Sequence, residues 1–305
     1  MDALDESFAS LRHPEVRDLA WLLGAPALLA PGTYPVWDHA RSTALYRSAL
    51  PLLQRLDRDP APLLQHLALR PVKRLGYYVE NLLGFAFAHL PGWRVVAEHW
   101  AIREQQRTVG ELDFLLQPPQ SDSLLHLECA FKLFLLHRPD AGIRGFIGPS
   151  ARDRLHLKLD KLFQQQLALS QHPHVTSRLT QPIGQRLGWL KGWLFYPFGQ
   201  PQAAISGLEP NHPHGWWQHL TPARQRLQHS QHYWMPLPRL RWVAPALFPA
   251  ATTVFSGTQM CAWLDEYCLA NDSARMLVEL TPTANGWQEL GRGFIVADDW
   301  PANSP

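Results

Sequence analysis

The stretch "GELDFLLQPPQSDSLLHLECAFKLFLL" runs from Gly110 to Leu136. It is apolar enough to be core, yet it carries Glu111, Asp113, Glu128 and Lys132. Two apolar runs flank a turn rich in Pro, Gln and Ser, so the stretch reads as two strands joined back to back. Side chains alternate across a strand. Glu111 and Asp113 therefore share one face of the first strand, and Leu112 and Phe114 the other. On the second strand His126, Glu128, Ala130 and Lys132 share a face, with Leu127, Cys129, Phe131 and Leu133 opposite. If the strands pair, the polar faces coincide. Two carboxylates about 4 Å apart repel by about 4 kcal/mol at an effective dielectric of about 20. A proton, a lysine or a divalent cation has to neutralise them. An ion pair of Asp113 with Lys132 is one answer. A cation held by oxygen ligands alone is the other, and that donor set favours Mg²⁺ or Mn²⁺ over zinc.

Working outward, residues 93–104 read as a third strand, so that 93–104, 107–118 and 123–137 form a meander. Before them, "PVKRLGYYVENLLGFAFAHL" (71–90) has the apolar faces of an amphipathic helix, with Glu80 at its middle. After them, helical spacing of Leu155, Leu159, Leu162 and Leu169 predicts a helix over 148–170, and "GWLKGWLFYP" (188–197) reads as a strand buried on both faces. The order is αβββαβ. Upstream, helices are expected over 8–23 and 38–57, the second closed by Pro60 and Pro62. Downstream of Pro197, Pro, His, Trp and Gln dominate to about residue 238. A strand is then expected within 237–248, a helix over 256–271, two strands about the Asn285-Gly286 turn, and a loose tail over 298–305. The expected organisation is a helical N-terminal extension (1–65), an α/β core (66–198) and an α+β C-terminal extension (199–305).

Composition narrows the function classes. The 305 residues are 46% hydrophobic and include 13 Trp, which suits a globular chain with a real core. Net charge is only +2, so any nucleic-acid contact must come from a local patch. Three cysteines with no CxxC argue against a disulfide framework or thiolate zinc site. The N-terminus lacks a basic n-region, and its apolar stretch is broken by Gly24 and Pro26, so no signal peptide or membrane span is expected and a reducing cytoplasm fits. No P-loop or Rossmann fingerprint is present.

An acidic residue on a helix, Asp on a strand, then an acidic residue and Lys on the next strand, within αβββαβ, resembles the PD-(D/E)XK nuclease superfamily over about residues 70–197. The wording "GELDFLL…HLECAFKLFL…GPSARDRLHLKLDKL" also resembles the bacterial family called domain of unknown function 1853, which would cover most of the chain. The first resemblance implies a restriction-endonuclease-like core, a mixed sheet flanked by helices. It implies that Glu80 and Asp113 bind metal, that Glu128 completes the site, and that Lys132 positions the attacking water. The chain departs from the pattern at Ala130, which occupies the acidic slot two residues before Lys132. Glu128 is four residues away, about 13 Å along a strand instead of about 7 Å. A bulge would close part of that gap, or Glu111 would supply the missing ligand.

The segment from Arg138 to Lys161 holds six basic residues against Asp140, Asp153 and Asp160. Arg152, Arg154, Lys158 and Lys161, with Gln165 one turn beyond, are the candidate phosphate contacts, and a solvated charged face is the alternative use. His212, His214, His219, His229 and His232 lack metalloprotease spacing and read as structural or surface histidines. Trp216, Trp217 and Trp234 read as packing residues. The sequence thus leads to a Mg²⁺- or Mn²⁺-dependent phosphodiester hydrolase acting on nucleic acid, with no membrane partner. A nuclease-fold module that binds nucleic acid or protein without cutting is the alternative. A third option is an interaction protein built on the Trp- and Pro-rich C-terminal region.

Overall fold

In the computed structural model, the Asp38 side chain accepts a hydrogen bond from the Arg41 amide at 2.8 Å, starting a twenty-residue helix in the way an Asp N-cap does. The structure describes residues 11–104, 107–202, 204–268 and 274–301. The chain is mixed α/β, its strands flanked by helices, and it forms two compact units. One comprises Met1–Lys132, Leu157–Gly192 and Gly207–His212. The other comprises Leu133–His156, Trp193–Ser206 and Pro213–Pro305.

The first unit begins with helices α1 (Pro14–Gly24), α2 (His39–Arg58), α3 (Ala61–Leu69) and α4 (Leu75–His89). The helices expected at 8–23, 38–57 and 71–90 correspond to α1, α2 and α4, with residues 8–10 outside the described ones. No helix is expected at α3, because Pro60 and Pro62 read as a stop. Pro60 is instead the N-cap and Pro62 lies in the first turn, where the missing N–H has no intrahelical partner to lose.

Strands β1 (Arg94–Glu104), β2 (Arg107–Gln117) and β3 (Leu124–Leu136) form the expected antiparallel meander. Glu98 pairs with Phe114 and Trp100 with Leu112. Phe114 in turn pairs with Leu127, and Leu116 with Leu125. Leu112, Phe114, Leu116 and Leu127 are all fully buried. Phe87 of α4 lies 6.0 Å from Phe114 and 5.9 Å from Trp189 between ring centroids. Burying a side chain of that size contributes about 2–3 kcal/mol. This apolar contact seats α4 and with it Glu80.

Beyond β3 come the two-residue β4 (Phe146–Ile147), α5 (Leu155–Asp160), α6 (Pro173–Thr176) and β5 (Ile183–Pro197). The helix expected over 148–170 starts late and is irregular. Gly148 bonds back to Asp153, Ala151 takes φ +60, and Arg154 bridges to Ile147, so the segment before Leu155 is a looped turn. After α5 the helix widens into a π-turn over Lys161–Gln166 and then tightens over Leu167–Gln171. β5 lies beside β3. Gly192 there has φ +139, and a Cβ on it would overlap the Lys132 carbonyl. Only glycine allows that approach, which fixes the Lys132 backbone.

In the second unit, the end of β5 pairs in parallel with β6 (His214–His219). Next come α7 (Leu220–Gln228), β7 (Tyr233–Pro236), β8 (Leu247–Pro249) and α8 (Gly257–Cys268). β9 (Arg275–Thr283) and β10 (Gly286–Val296) form the hairpin expected at Asn285-Gly286, and β10 runs parallel to β6. The strand expected within 237–248 is instead a 3₁₀ turn, Arg239–Arg241, followed by β8, because Pro238 and Pro245 lack the donors of a ladder. Of the helix expected over 256–271, residues 269–271 lie outside the described ones. His219 bonds the Ala297 carbonyl and Trp217 donates to the Leu136 carbonyl, as structural residues do, and in the first unit His212 likewise bonds the Glu209 carbonyl. The tail is not wholly loose: Trp300 is buried and donates to the Pro149 carbonyl at 3.0 Å, while 302–305 lie outside the described residues.

Candidate functional site

A cleft of about 660 Å³ lies in the first unit, lined by α4, the first half of β2, the middle of β3 and the α5 segment. Each element brings chemistry. α4 supplies Glu80, β2 supplies Glu111 and Asp113, and β3 supplies Lys132. Lys158, Lys161 and Gln165 reach it from the α5 segment, and Arg74 and Tyr77 from the start of α4. The π-turn brings Gln165 and its neighbour Gln166 both to the cleft wall.

Three sequence candidates stand elsewhere. Arg152 and Arg154 precede the helix, belong to the second unit and are not among the residues lining the cleft. Glu128 is wholly buried behind the wall. Its Oε1 accepts from the Asp113 amide at 3.3 Å and lies 2.7 Å from His126 Nε2. Its Oε2 accepts from Gln166 Nε2 at 2.9 Å. Asp113 answers across the same strand pair: Oδ2 accepts from the Cys129 amide at 2.8 Å. Past Leu127, then, side-chain carboxylates satisfy main-chain donors of the facing strand, as buried N–H groups require.

The cleft is electrostatically loaded. Burial, and next the charge of Glu128, push the Asp113 carboxyl up to about 8. Burial and then Asp113 push Glu80 up to about 7, against a lowering by His99. Burial raises Glu128 to about 7, although its bonds from Asp113 and Gln166 oppose this. The buried Cys129 thiol is also pushed well up, by burial first and then by Asp113, Glu80 and Glu128. These shifts all have the sign of desolvated, crowded negative charge.

His99 on β1 escapes sequence reasoning. Its Nδ1 stands 3.3 Å from Glu111 and 3.8 Å from Glu80, and its Nε2 stands 3.5 Å from Glu98. It also holds φ +51, uncommon for a residue with a Cβ. No pattern in "AEHWAIRE" marks it, since alternation gives a face but not a neighbour.

The donors suit a hard cation by type: Glu80, Glu111 and Asp113 are all carboxylates, and their mutual repulsion is what such a cation would relieve. They are not drawn into a closed shell. Among the described residues no three His, Cys, Asp or Glu side chains are grouped so as to hold a metal ion. The fit is therefore one of donor chemistry and shared cleft.

Comparison with known proteins bears on the whole chain. The family model described as "Domain of unknown function (DUF1853)" matches residues 17–296. No curated protein and no solved structure matches. Among the described residues no helix is long and apolar enough to cross a membrane.

Proposed function

We propose that this chain, which belongs to the DUF1853 family, is a divalent-metal-dependent phosphodiester hydrolase acting on nucleic acid, with a nuclease-type core built on the αβββαβ run. The observation that carries the reading is the meeting of Glu80, Asp113 and Lys132 with Lys158 and Lys161 in one cleft. Mg²⁺ or Mn²⁺, when bound, would polarise a phosphoryl oxygen and lower the pKa of a bound water. Glu80 and Asp113 are the residues to hold it, with Glu111 at the rim. Lys132, its backbone pinned by Gly192, orients the attacking water or stabilises charge developing on the phosphate. Lys158 and Lys161 neutralise neighbouring phosphates. Glu128 acts from behind by holding Asp113 and Gln166 in place.

Incubation of the protein with Mn²⁺ and mixed single- and double-stranded DNA and RNA tests the reading. Cleavage that is lost in Asp113→Asn supports it, and equal cleavage by both proteins contradicts it. A second reading is a module that binds nucleic acid without cutting. The burial of Glu128, with Ala130 two residues before Lys132, favours it. It predicts salt-sensitive binding with no cleavage under any metal.

A further inference from the structure

The first unit contains a second concavity that the cleft does not use. It is a pocket of about 410 Å³ where β2 ends, β3 begins and α2 passes over. Its size falls within the range of small-molecule sites. Trp37 and Trp93 line it, with ring centroids 6.2 Å apart. Trp37 is backed by Trp189, stacked 5.2 Å away and nearly parallel at 7°, which keeps its ring from rotating. Leu45 and Leu124 complete an apolar wall.

The polar side of the pocket has one sign. Arg41 lines it, and among the described residues no Asp or Glu does. Its guanidinium carbon lies 6.0 Å from the Trp37 ring centre, and Nη1 donates to Gln185 Oε1 at 3.0 Å. Gln185 is a neutral partner, so this bond braces the guanidinium without neutralising it. The Ser121 and Ser123 groups are engaged in their own turn, and the Ser48 hydroxyl bonds the Leu45 carbonyl. An aromatic wall and a braced cation together select a flat ring carrying an anionic group.

We propose that this pocket binds a nucleotide, the base against Trp37 and Trp93 and the phosphate toward Arg41. The site is separate from the cleft, for Pro118 lies five residues beyond Asp113, about 17 Å along an extended strand. It stands whether or not the cleft cuts nucleic acid.

The test is calorimetric titration of the full chain with each of the four nucleoside 5′-monophosphates, the matching nucleosides and inorganic phosphate. At least one monophosphate is expected to bind, its nucleoside more weakly, and phosphate alone not at all. Arg41→Gln is expected to weaken the monophosphate about tenfold, the scale of one charge-assisted hydrogen bond, and to spare the nucleoside. Ser48→Trp, which plugs the mouth from exposed helix surface, is expected to abolish both while its melting temperature stays near wild type. Asp113→Asn is expected to leave binding intact. Failure of all four monophosphates to bind overturns the proposal, as does binding that survives Ser48→Trp or disappears in Asp113→Asn.

Discussion

Asp113 and Glu128 hold each other's strands: Asp113 Oδ2 accepts 2.8 Å from the Cys129 amide, and Glu128 Oε1 accepts 3.3 Å from the Asp113 amide. The exchange explains why two carboxylates tolerate burial side by side. Each is a structural acceptor, and Asp113 alone of the two also lines the cleft. Architecture and chemistry therefore separate by substitution.

Asp113→Asn keeps an acceptor for the Cys129 amide and mimics the protonated carboxyl that burial and Glu128 favour, so the metal-free variant is expected to be at least as stable as wild type. Asp113→Ala leaves that amide unsatisfied and is expected to cost about 1–3 kcal/mol. Urea unfolding of both variants checks the order, which the opposite ranking would overturn.

Glu128→Gln is expected to destabilise although it is nearly isosteric. The two carboxylate oxygens face the Asp113 amide on one side and the Gln166 amide on the other. An amide nitrogen on the Asp113 side meets a main-chain donor, and on the other side it fits only if the Gln166 amide turns round, at a cost of about 1–3 kcal/mol. A variant as stable as wild type in chemical denaturation would show that these bonds are not satisfied as described.

Lys191 gives a pH dependence of known sign. It is buried, bonds the Ala25 carbonyl and the Ser42 hydroxyl, and lies 5.6 Å from the Trp189 ring centre. Burial pushes its pKa down to about 7. The unfolded lysine keeps its proton to about 10.4, so between these values the unfolded state binds more protons and stability rises with pH. The rise is on the order of 5 kcal/mol at most, and below about pH 7 this contribution is flat. Lys191→Met is expected to remove the slope. Unfolding midpoints from pH 7 to 10 that run parallel in both proteins would contradict it.

The basic residues divide by place. Lys158→Ala and Lys161→Ala are each expected to lower the salt dependence of oligonucleotide binding by about 0.7–0.9 in log–log slope, the effect of one phosphate contact. Arg152→Ala and Arg154→Ala, outside the cleft, are expected to leave the slope unchanged. Fluorescence anisotropy over a salt series distinguishes the pairs, and equal effects at all four positions would refute the division.

What was legible followed from periodicity. The three strands read at 93–104, 107–118 and 123–137 fall within a residue of β1, β2 and β3, because alternation and polar turns are local signals. The short β4 and α6 between β3 and β5 had no such signal. That Glu80 lines the same cleft as Asp113 and Lys132 is what the resemblance implies, and alternation alone does not give it. Depth was not legible: alternation places Glu128 on a face but cannot say that Gln166 and His126 cover it. The leucine stripe of 155–169 could not reveal the turn at Ala151, which precedes the stripe, or the π-turn at Lys161, which leaves the leucine spacing unmarked. His99 depends on a backbone conformation and on two carboxylates distant in sequence, Glu80 and Glu111, which no spacing encodes.

The central claim is that Asp113 and its neighbours hold a divalent cation, and calorimetric titration of Mn²⁺ into metal-free protein tests it most directly. Saturable binding by wild type that is absent from Asp113→Asn, both proteins being folded, is the predicted result. Binding of equal strength by the two, or by neither, would contradict it.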